Sequence, residues 1–419
     1  MRPDAYIERA LAPLLTTAMA EARVVALLGA RQAGKSTLAR VLAGSNLRAD
    51  YLTLDDEPVR SLAAGDPVGF VSGLAAPVVI DEVQRAPEVL LAIKSRVDRD
   101  DRPGQFLLTG SANLRRLPTV ADALPGRVDY HTLWPLTQAE IEGEGHGLLD
   151  SLFAGRVPAI AGAPPGRDAH LDRLLAGGFP EARRRSGDTR RRFFDSYVTS
   201  IVEREVIETS RIHQPVSVTT LLRLIASRSG SLARYERLGR DAGIDGKTAK
   251  AHVEILERLY LVRVRLPWHV NLGKRQVKAP KLYIADPGLL AALISVDKAG
   301  VSADDGIAGS LYESFVATEL ERLASWAPEH HDFWHYRDGA REVDVVIERP
   351  SGAVVGVEVK SGATVRAADF AGLVRLRDRL GQRFRSGVVI HTGERTLPFG
   401  DRLWALPLPA LWTSPSRGS

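Results

Sequence analysis

The stretch Gly29-Ala30-Arg31-Gln32-Ala33-Gly34-Lys35-Ser36-Thr37 constrains this chain more than any other. It fits G-x-x-x-x-G-K-[ST], and its flanks suit the motif. Arg23 to Leu28 is a short apolar run with two adjacent valines, as a buried parallel strand requires, and Lys35 to Leu42 opens a helix. Glycine at either end of the loop lets backbone N–H groups close on a triphosphate at a helix N-terminus. In that arrangement residues 29–37 cradle the phosphates of ATP. Lys35 reaches the β- and γ-phosphates and the Ser36 hydroxyl holds Mg²⁺. A glycine-rich turn without a ligand is the plainer alternative.

The segments that follow supply the acids such a loop needs. Ala76 to Glu82 is an apolar strand that ends in Asp81-Glu82. A buried parallel strand delivers its last side chains to the C-terminal edge of a sheet, where ligands bind. Asp81 would bind Mg²⁺ through water, and Glu82 would orient or deprotonate the attacking water. Tyr51 to Leu54 and Gln105 to Ala112 read as further strands. Arg127 follows a turn, where it either reaches a neighbouring subunit's nucleotide as a finger or lies on the surface. Pro180 closes Gly178-Phe179-Pro180, which either presents backbone to an adenine ring or merely breaks a helix.

A length of 419 residues implies more than one core. The absence of cysteine excludes disulfides, cysteine-ligated zinc and thiol catalysis, and fits a reducing cytoplasm. No apolar run approaches the length of a membrane span, and the N-terminus lacks the apolar core of a signal peptide. The expectation is a cytoplasmic protein without a membrane partner. A formal charge of +5 permits an anionic partner without establishing one.

Taken together, Gly29 to Thr37, Val79-Ile80-Asp81-Glu82-Val83-Gln84, Leu108-Thr109-Gly110-Ser111, Gly126-Arg127-Val128, Gly177-Gly178-Phe179-Pro180-Glu181, Gly309 to Val316 and Glu358-Val359-Lys360 carry a resemblance. The chain resembles prokaryotic AAA+-type ATPases with a winged-helix middle and a C-terminal domain related to the restriction-endonuclease fold. Two departures are Ala30, where proline is expected, and Ser36, where threonine is commoner. The resemblance implies a homo-oligomer, and a polar side chain at a strand tip that senses the γ-phosphate, here Thr109 or Ser111. It also implies an α/β fold in four parts: a doubly wound parallel-sheet P-loop core over 1–145, a helical lid over 146–212, a winged helix-turn-helix over 213–295, and a PD-(D/E)xK nuclease-like α/β domain over 296–419.

The residues of the last two parts have readings of their own. Val216 to Arg228, Arg234 to Ala242 and Lys247 to Leu259 read as three helices, and Tyr260 to Leu266 as a strand. That order is helix, turn, helix and wing. In a DNA-binding version, Lys247, Thr248, Lys250 and His252 face the major groove, and Arg263, Arg265, Lys274, Arg275, Lys278 and Lys281 contact phosphates. Packing or oligomerisation is the alternative use. Further on, in the strand pair Glu342 to Ile347 and Val354 to Lys360, alternation puts Glu358 and Lys360 on one face, and Asp344, fourteen positions before Glu358, is within reach of it across a hairpin, with Glu313 on a preceding helix. Asp344, Glu358 and Glu313 are then candidate ligands for Mg²⁺ or Mn²⁺, and Lys360 a charge stabiliser.

Three functions fit this sequence. One is an ATP-hydrolysing protein that acts on DNA with a metal-dependent nuclease-like domain. Another is a nucleotide-controlled switch. The third is an ATPase whose nuclease fold is a catalytically dead binding scaffold.

Overall fold

The computed structural model describes residues 6–110, 126–143, 147–157, 166–202, 215–269 and 279–413. They fall into two compact units. The first is drawn from residues 2–135 together with Arg258–Tyr260, the second from Leu136–Glu257 and Leu261–Ser419.

The first unit is built on a parallel five-stranded sheet: β1 (Val24–Leu28), β2 (Asp50–Thr53), β3 (Val78–Asp81), β4 (Phe106–Thr109) and β5 (Val128–Thr132), in the order β2-β3-β4-β1-β5. The three inner strands are buried along their whole length and carry nearly unbroken apolar runs. Helices cover both faces of a parallel sheet, so neither face can be polar. The edge strands β2 and β5 are only half-buried and mix polar with apolar residues. That is why the run Val128–Thr132 escapes a reading based on apolar periodicity. Pro13 starts the helix Ala12–Glu21 rather than interrupting one, since its missing N–H falls in the first turn.

The second unit takes up the chain at Leu136. Hydrogen bonds account for this. Leu136 N donates to Gly178 O, and Gln138 N donates to the buried carboxylate of Glu319, so 136–143 is tied into the second unit.

In the second unit, the helices Arg167–Ala176 and Gly187–Ile201 stand where a lid is expected. Next come Pro215–Ala226, Tyr235–Ala242 and Gly246–Arg258, then the antiparallel pair β6 (Val262–Arg265) and β7 (Lys281–Ile284). A six-stranded mixed sheet completes it: β8 (Asp332–Asp338), β9 (Arg341–Glu348), β10 (Val354–Val359), β11 (Phe384–His391), β12 (Leu397–Pro398) and β13 (Leu403–Pro407), ordered β12-β13-β11-β10-β9-β8. β8–β9 is an antiparallel hairpin turning at Gly339, φ +62°, and β10 runs antiparallel to β9 and parallel to β11. The helices Arg167–Ala176 and Gly187–Ile201, the three-helix segment and this sheet all belong to the second compact unit.

The helix Asp305–Ala324 ties these parts together. Its Arg322 donates to Asp286 Oδ2 at 3.1 Å, to Ala285 O at 2.7 Å and to Leu136 O at 3.2 Å, and Asp286 also accepts from Gly178 N at 2.8 Å. A Cβ at Gly178 would lie 2.2 Å from Leu136 O, and one at Gly177 2.2 Å from Asp286 Oδ1. The Gly177-Gly178-Phe179-Pro180 word is therefore satisfied by close backbone packing, with Pro180 at the start of the short helix Pro180–Arg183.

Glu319 is fully buried beside Arg322, and its Oε2 has no hydrogen-bond partner. Burial raises its carboxyl pKa to about 7, against the pull of Arg322. A carboxyl raised on folding stabilises the native state below its unfolded value, and that contribution is lost as pH climbs through about 7. Glu319→Gln mimics the protonated form. Its melting temperature should match the wild type near pH 4.5 and exceed it at pH 8, each unit of the window being worth up to about 1.4 kcal/mol. Parallel melting profiles for the two proteins would contradict this.

Candidate functional site

The first site lies at the C-terminal edge of the five-stranded sheet, where the loop between β1 and the helix Lys35–Leu42 turns. Gly29 (φ +146°) and Gly34 (φ +99°) adopt backbone that L side chains rarely accept, and a Cβ at Gly29 would overlap Leu133 O. Ala30 and Ala33 are buried, Arg31 is half-buried, and Gln32 and Thr37 are exposed. The Lys35 ammonium is buried and donates to Gly29 O at 3.0 Å and Ala30 O at 2.9 Å, so the loop closes on its own lysine. Arg9 braces the loop from the N-terminal segment: its guanidinium donates to Ala33 O at 2.8 Å and to Trp134 O at 2.6 Å.

Asp81 ends β3 and is 3% exposed. A carboxylate that buried must be hydrogen-bonded, and three hydroxyls serve it. Ser36 Oγ donates to Oδ1 at 3.1 Å, Tyr51 Oη to Oδ2 at 2.7 Å, and Thr109 Oγ1 to Oδ1 in a short contact. Thr109 also accepts from Glu82 N at 3.1 Å, so a single hydroxyl positions both acids. Burial, then the bond to Asp81, pushes the Tyr51 phenol up, so it stays a donor. Glu82 has φ +56°, and its carboxylate accepts from the Gln84 amide. Ser36 and Asp81 are hard oxygen donors side by side at the lysine end of the loop, which fits Mg²⁺.

Lys35, Ser36, Asp81, Glu82 and Thr109 thus lie together at this edge of the sheet. Ser111 lies outside the described residues. Arg127 is not brought to the loop. It precedes β5, whose Val128 pairs with Val24 at the far end of β1, about 13 Å along the strand from Leu28. There its guanidinium binds the Asp98 carboxylate of the same chain. Arg9 and Tyr51 were not foreseen. The only trace of either is that Tyr51 opens the expected strand Tyr51–Leu54, and an isolated arginine before a helix carries no signal.

The second cluster lies in the six-stranded sheet. β9 and β10 bring Asp344 next to Glu358, as the hairpin spacing requires, and Val359 N donates to Asp344 Oδ2 at 3.0 Å. Lys360 Nζ meets Glu358 Oε1 at 3.2 Å. Glu313, from the helix Asp305–Ala324, arrives too, but the group at the centre is Lys281 of β7. Its Nζ lies 2.9 Å from Glu313 Oε1, 2.6 Å from Glu342 Oε1 and 3.0 Å from Asp344 Oδ1. Tyr283 Oη donates to Glu313 Oε1 at 2.8 Å. Burial, then the neighbouring Asp344, raises Glu313 to about 7, and the same two causes push Glu358 well up. Burial alone would lower Lys281, but Tyr283, Asp344, Glu313 and Glu342 together push it well up. Among the described residues no group of three or more acids or histidines is open to a metal ion. As arranged, Glu313, Asp344 and Glu358 do not fit one, because an ammonium already stands among them.

Several expected nucleic-acid contacts are also turned inward. His252 is buried in the packing face of the helix Gly246–Arg258, beside Ala249, Val253 and Leu256. Arg263 Nε meets Glu321 Oε2 at 3.0 Å, and Arg265, 1% exposed, approaches the same carboxylate at 3.4 Å. Lys281 is 3% exposed. Each cation sits on a half-apolar strand and so needs a carboxylate beneath it. Thr248 donates to Asp245, which caps the helix. Lys247 and Lys250 stay exposed, while Lys274, Arg275 and Lys278 lie outside the described residues.

If Thr109 is the brace of both acids, Thr109→Val should leave nucleotide affinity within about threefold and lower turnover by about tenfold or more, since 1.4 kcal/mol is a factor of ten. Unchanged turnover in that variant would remove Thr109 from the site.

Residues 21–142 match the family described as AAA domain, and residues 167–300 and 308–411 match two domains of unknown function, DUF8612 and DUF4143. A Walker-type ATPase of Pyrococcus abyssi, PABY2304, is similar in structure with a TM-score of 0.43 and 17% identity, over 70% of this chain and 97% of that one. Two mycobacterial sequences, the uncharacterized proteins Rv2008c of Mycobacterium tuberculosis and Mb2031c of Mycobacterium bovis, are each 30% identical over 413 residues. The match spans 97% of this chain and 85% of either relative, and no helix among the described residues is long and apolar enough to cross a membrane. On that near-complete match the chain belongs to the family of the two mycobacterial proteins, with a P-loop ATPase-type core at its N-terminus.

Proposed function

We propose that this protein binds ATP with Mg²⁺ at residues 29–37 and hydrolyses it, working in the cytoplasm as a homo-oligomer. The observation that carries the reading is the Ser36–Asp81 pair at 3.1 Å beside the Lys35 loop. In this reading Lys35 leaves Gly29 O and Ala30 O for the β- and γ-phosphates, and loop N–H groups take the remaining phosphate oxygens. Ser36 and Asp81 would hold Mg²⁺, which when bound would supply charge neutralisation at the phosphates. Glu82 orients the attacking water, and Thr109 keeps its backbone in place. Exposed Leu62, Val68 and Leu91 on the helices of the first unit support self-association. Lys35→Ala should abolish measurable ATP turnover in a phosphate-release assay, and turnover at the wild-type rate would refute the assignment.

DNA is the proposed macromolecular partner, held by a winged helix-turn-helix formed from Pro215–Ala226, Tyr235–Ala242, Gly246–Arg258 and the β6–β7 pair. Support comes from exposed Arg237, Arg240, Lys247 and Lys250 on the second and third helices. Phosphate contacts of this kind carry no sequence information but make binding depend on salt. Lys247→Glu with Lys250→Glu should weaken duplex binding by a similar factor for every sequence and flatten the slope of log K against log salt by about 2. Equal slopes would exclude these lysines.

For the C-terminal domain, a restriction-endonuclease-like sheet used as a binding scaffold is favoured over a metal-dependent nuclease. Lys281 among the carboxylates is the specific observation behind that choice.

A further inference from the structure

Three carboxylate oxygens, from Glu313, Glu342 and Asp344, lie 2.6–3.0 Å from a single point. They come from a helix and a strand that are distant in sequence, and hard oxygen donors converging in this way make a ligand set for a divalent cation. The occupant of the point is the ammonium of Lys281, on a side chain 3% exposed. It is fixed from several directions. Its strand, β7, pairs with β6 on one edge and bridges Leu232 on the other. Two residues along, Tyr283 is fully buried and donates to Glu313, the same carboxylate that Lys281 holds. Nearby, Glu358 Oε2 is buried without any partner, although Lys360 holds its other oxygen. The pocket therefore keeps an acceptor that its own cations leave unserved.

We infer that Lys281 is a tethered counter-ion standing where a divalent cation would sit, and that it closes the acid cluster to metal while β7 stays in place. Two positive centres cannot both lie within about 3 Å of the same three carboxylate oxygens, so the ammonium excludes Mg²⁺ and Mn²⁺ by charge. The cation comes from the β6–β7 pair, whereas the acids come from the helix and the six-stranded sheet. The inference deepens the scaffold reading and is independent of ATP turnover.

The test is Mn²⁺ uptake by the full chain without nucleotide, read by the electron paramagnetic resonance of free Mn²⁺. The wild type should show no site that Asp344→Asn removes. Lys281→Met should gain one Mn²⁺ per chain, bound at least about tenfold more tightly than by the wild type, and the double variant Lys281→Met, Asp344→Asn should lose it. A wild-type protein that takes up one Mn²⁺ in an Asp344-dependent way would overturn the inference whether or not the variants fold. A folded Lys281→Met, or the closer mimic Lys281→Gln, that gains no ion would overturn it equally. Incubating the same samples with duplex DNA reads the scaffold question apart: Asp344-dependent Mn²⁺ uptake with intact DNA would sink the counter-ion and spare the scaffold.

Discussion

The Asp81 carboxylate is the interaction on which the first unit depends. It is nearly inaccessible to water, and its two oxygens are served by Ser36 from the helix after the loop, Tyr51 from β2 and Thr109 from β4. Leaving a buried carboxylate short of donors would cost several kcal/mol. Four segments therefore have to meet at one point before the edge of the sheet is stable. The loop shares the requirement. Its lysine bonds loop carbonyls, and Arg9 ties Ala33 of the loop to Trp134, two residues beyond β5.

The second unit solves a different electrostatic problem. Arg322 and Asp286 are both buried, and Arg265 and Lys281 are buried cations, the first beside Arg263 on the carboxylate of Glu321 and the second on three acids that are partly open. Pairs of this kind add little net stability compared with apolar side chains, but they are costly to break from one side. They pin segments far apart in sequence. Arg322 reaches Leu136 and Ala285, and Lys281 reaches β9 and the helix Asp305–Ala324. The modest positive charge of the chain is thus a poor guide to its surface, because much of the basic charge in β6 and β7 faces inward.

Much of this was legible in the sequence, and the gaps have physical causes. The inner strands could be read because a parallel sheet buried on both faces demands unbroken apolar runs, and the P-loop because its glycines and lysine are fixed by phosphate geometry. The three helices of the middle segment fell within a few residues of expectation, since each carries a 3.6-residue apolar stripe. Asp344, Glu358 and Lys360 converge because strand alternation and hairpin spacing are local rules. The misreadings were long-range. Nothing within a few residues of Lys281, Arg263 or His252 tells whether the side chain meets water, a phosphate or a carboxylate supplied from elsewhere in the chain. Gly178-Phe179-Pro180 reads from the sequence as backbone for an adenine ring or as a helix breaker, and the close approach of Leu136 and Asp286 to Gly178 and Gly177 is invisible there because both partners are distant in the chain.

The central claim is that Asp81 and Ser36 form, with the Lys35 loop, a site for ATP together with its metal ion. Calorimetric titration with ATP, with and without Mg²⁺, compares the wild type with Asp81→Asn most directly. The account predicts that Mg²⁺ strengthens ATP binding to the wild type by about tenfold or more and has little effect on the variant. Equal strengthening in both proteins, or no ATP binding by the wild type, would contradict it.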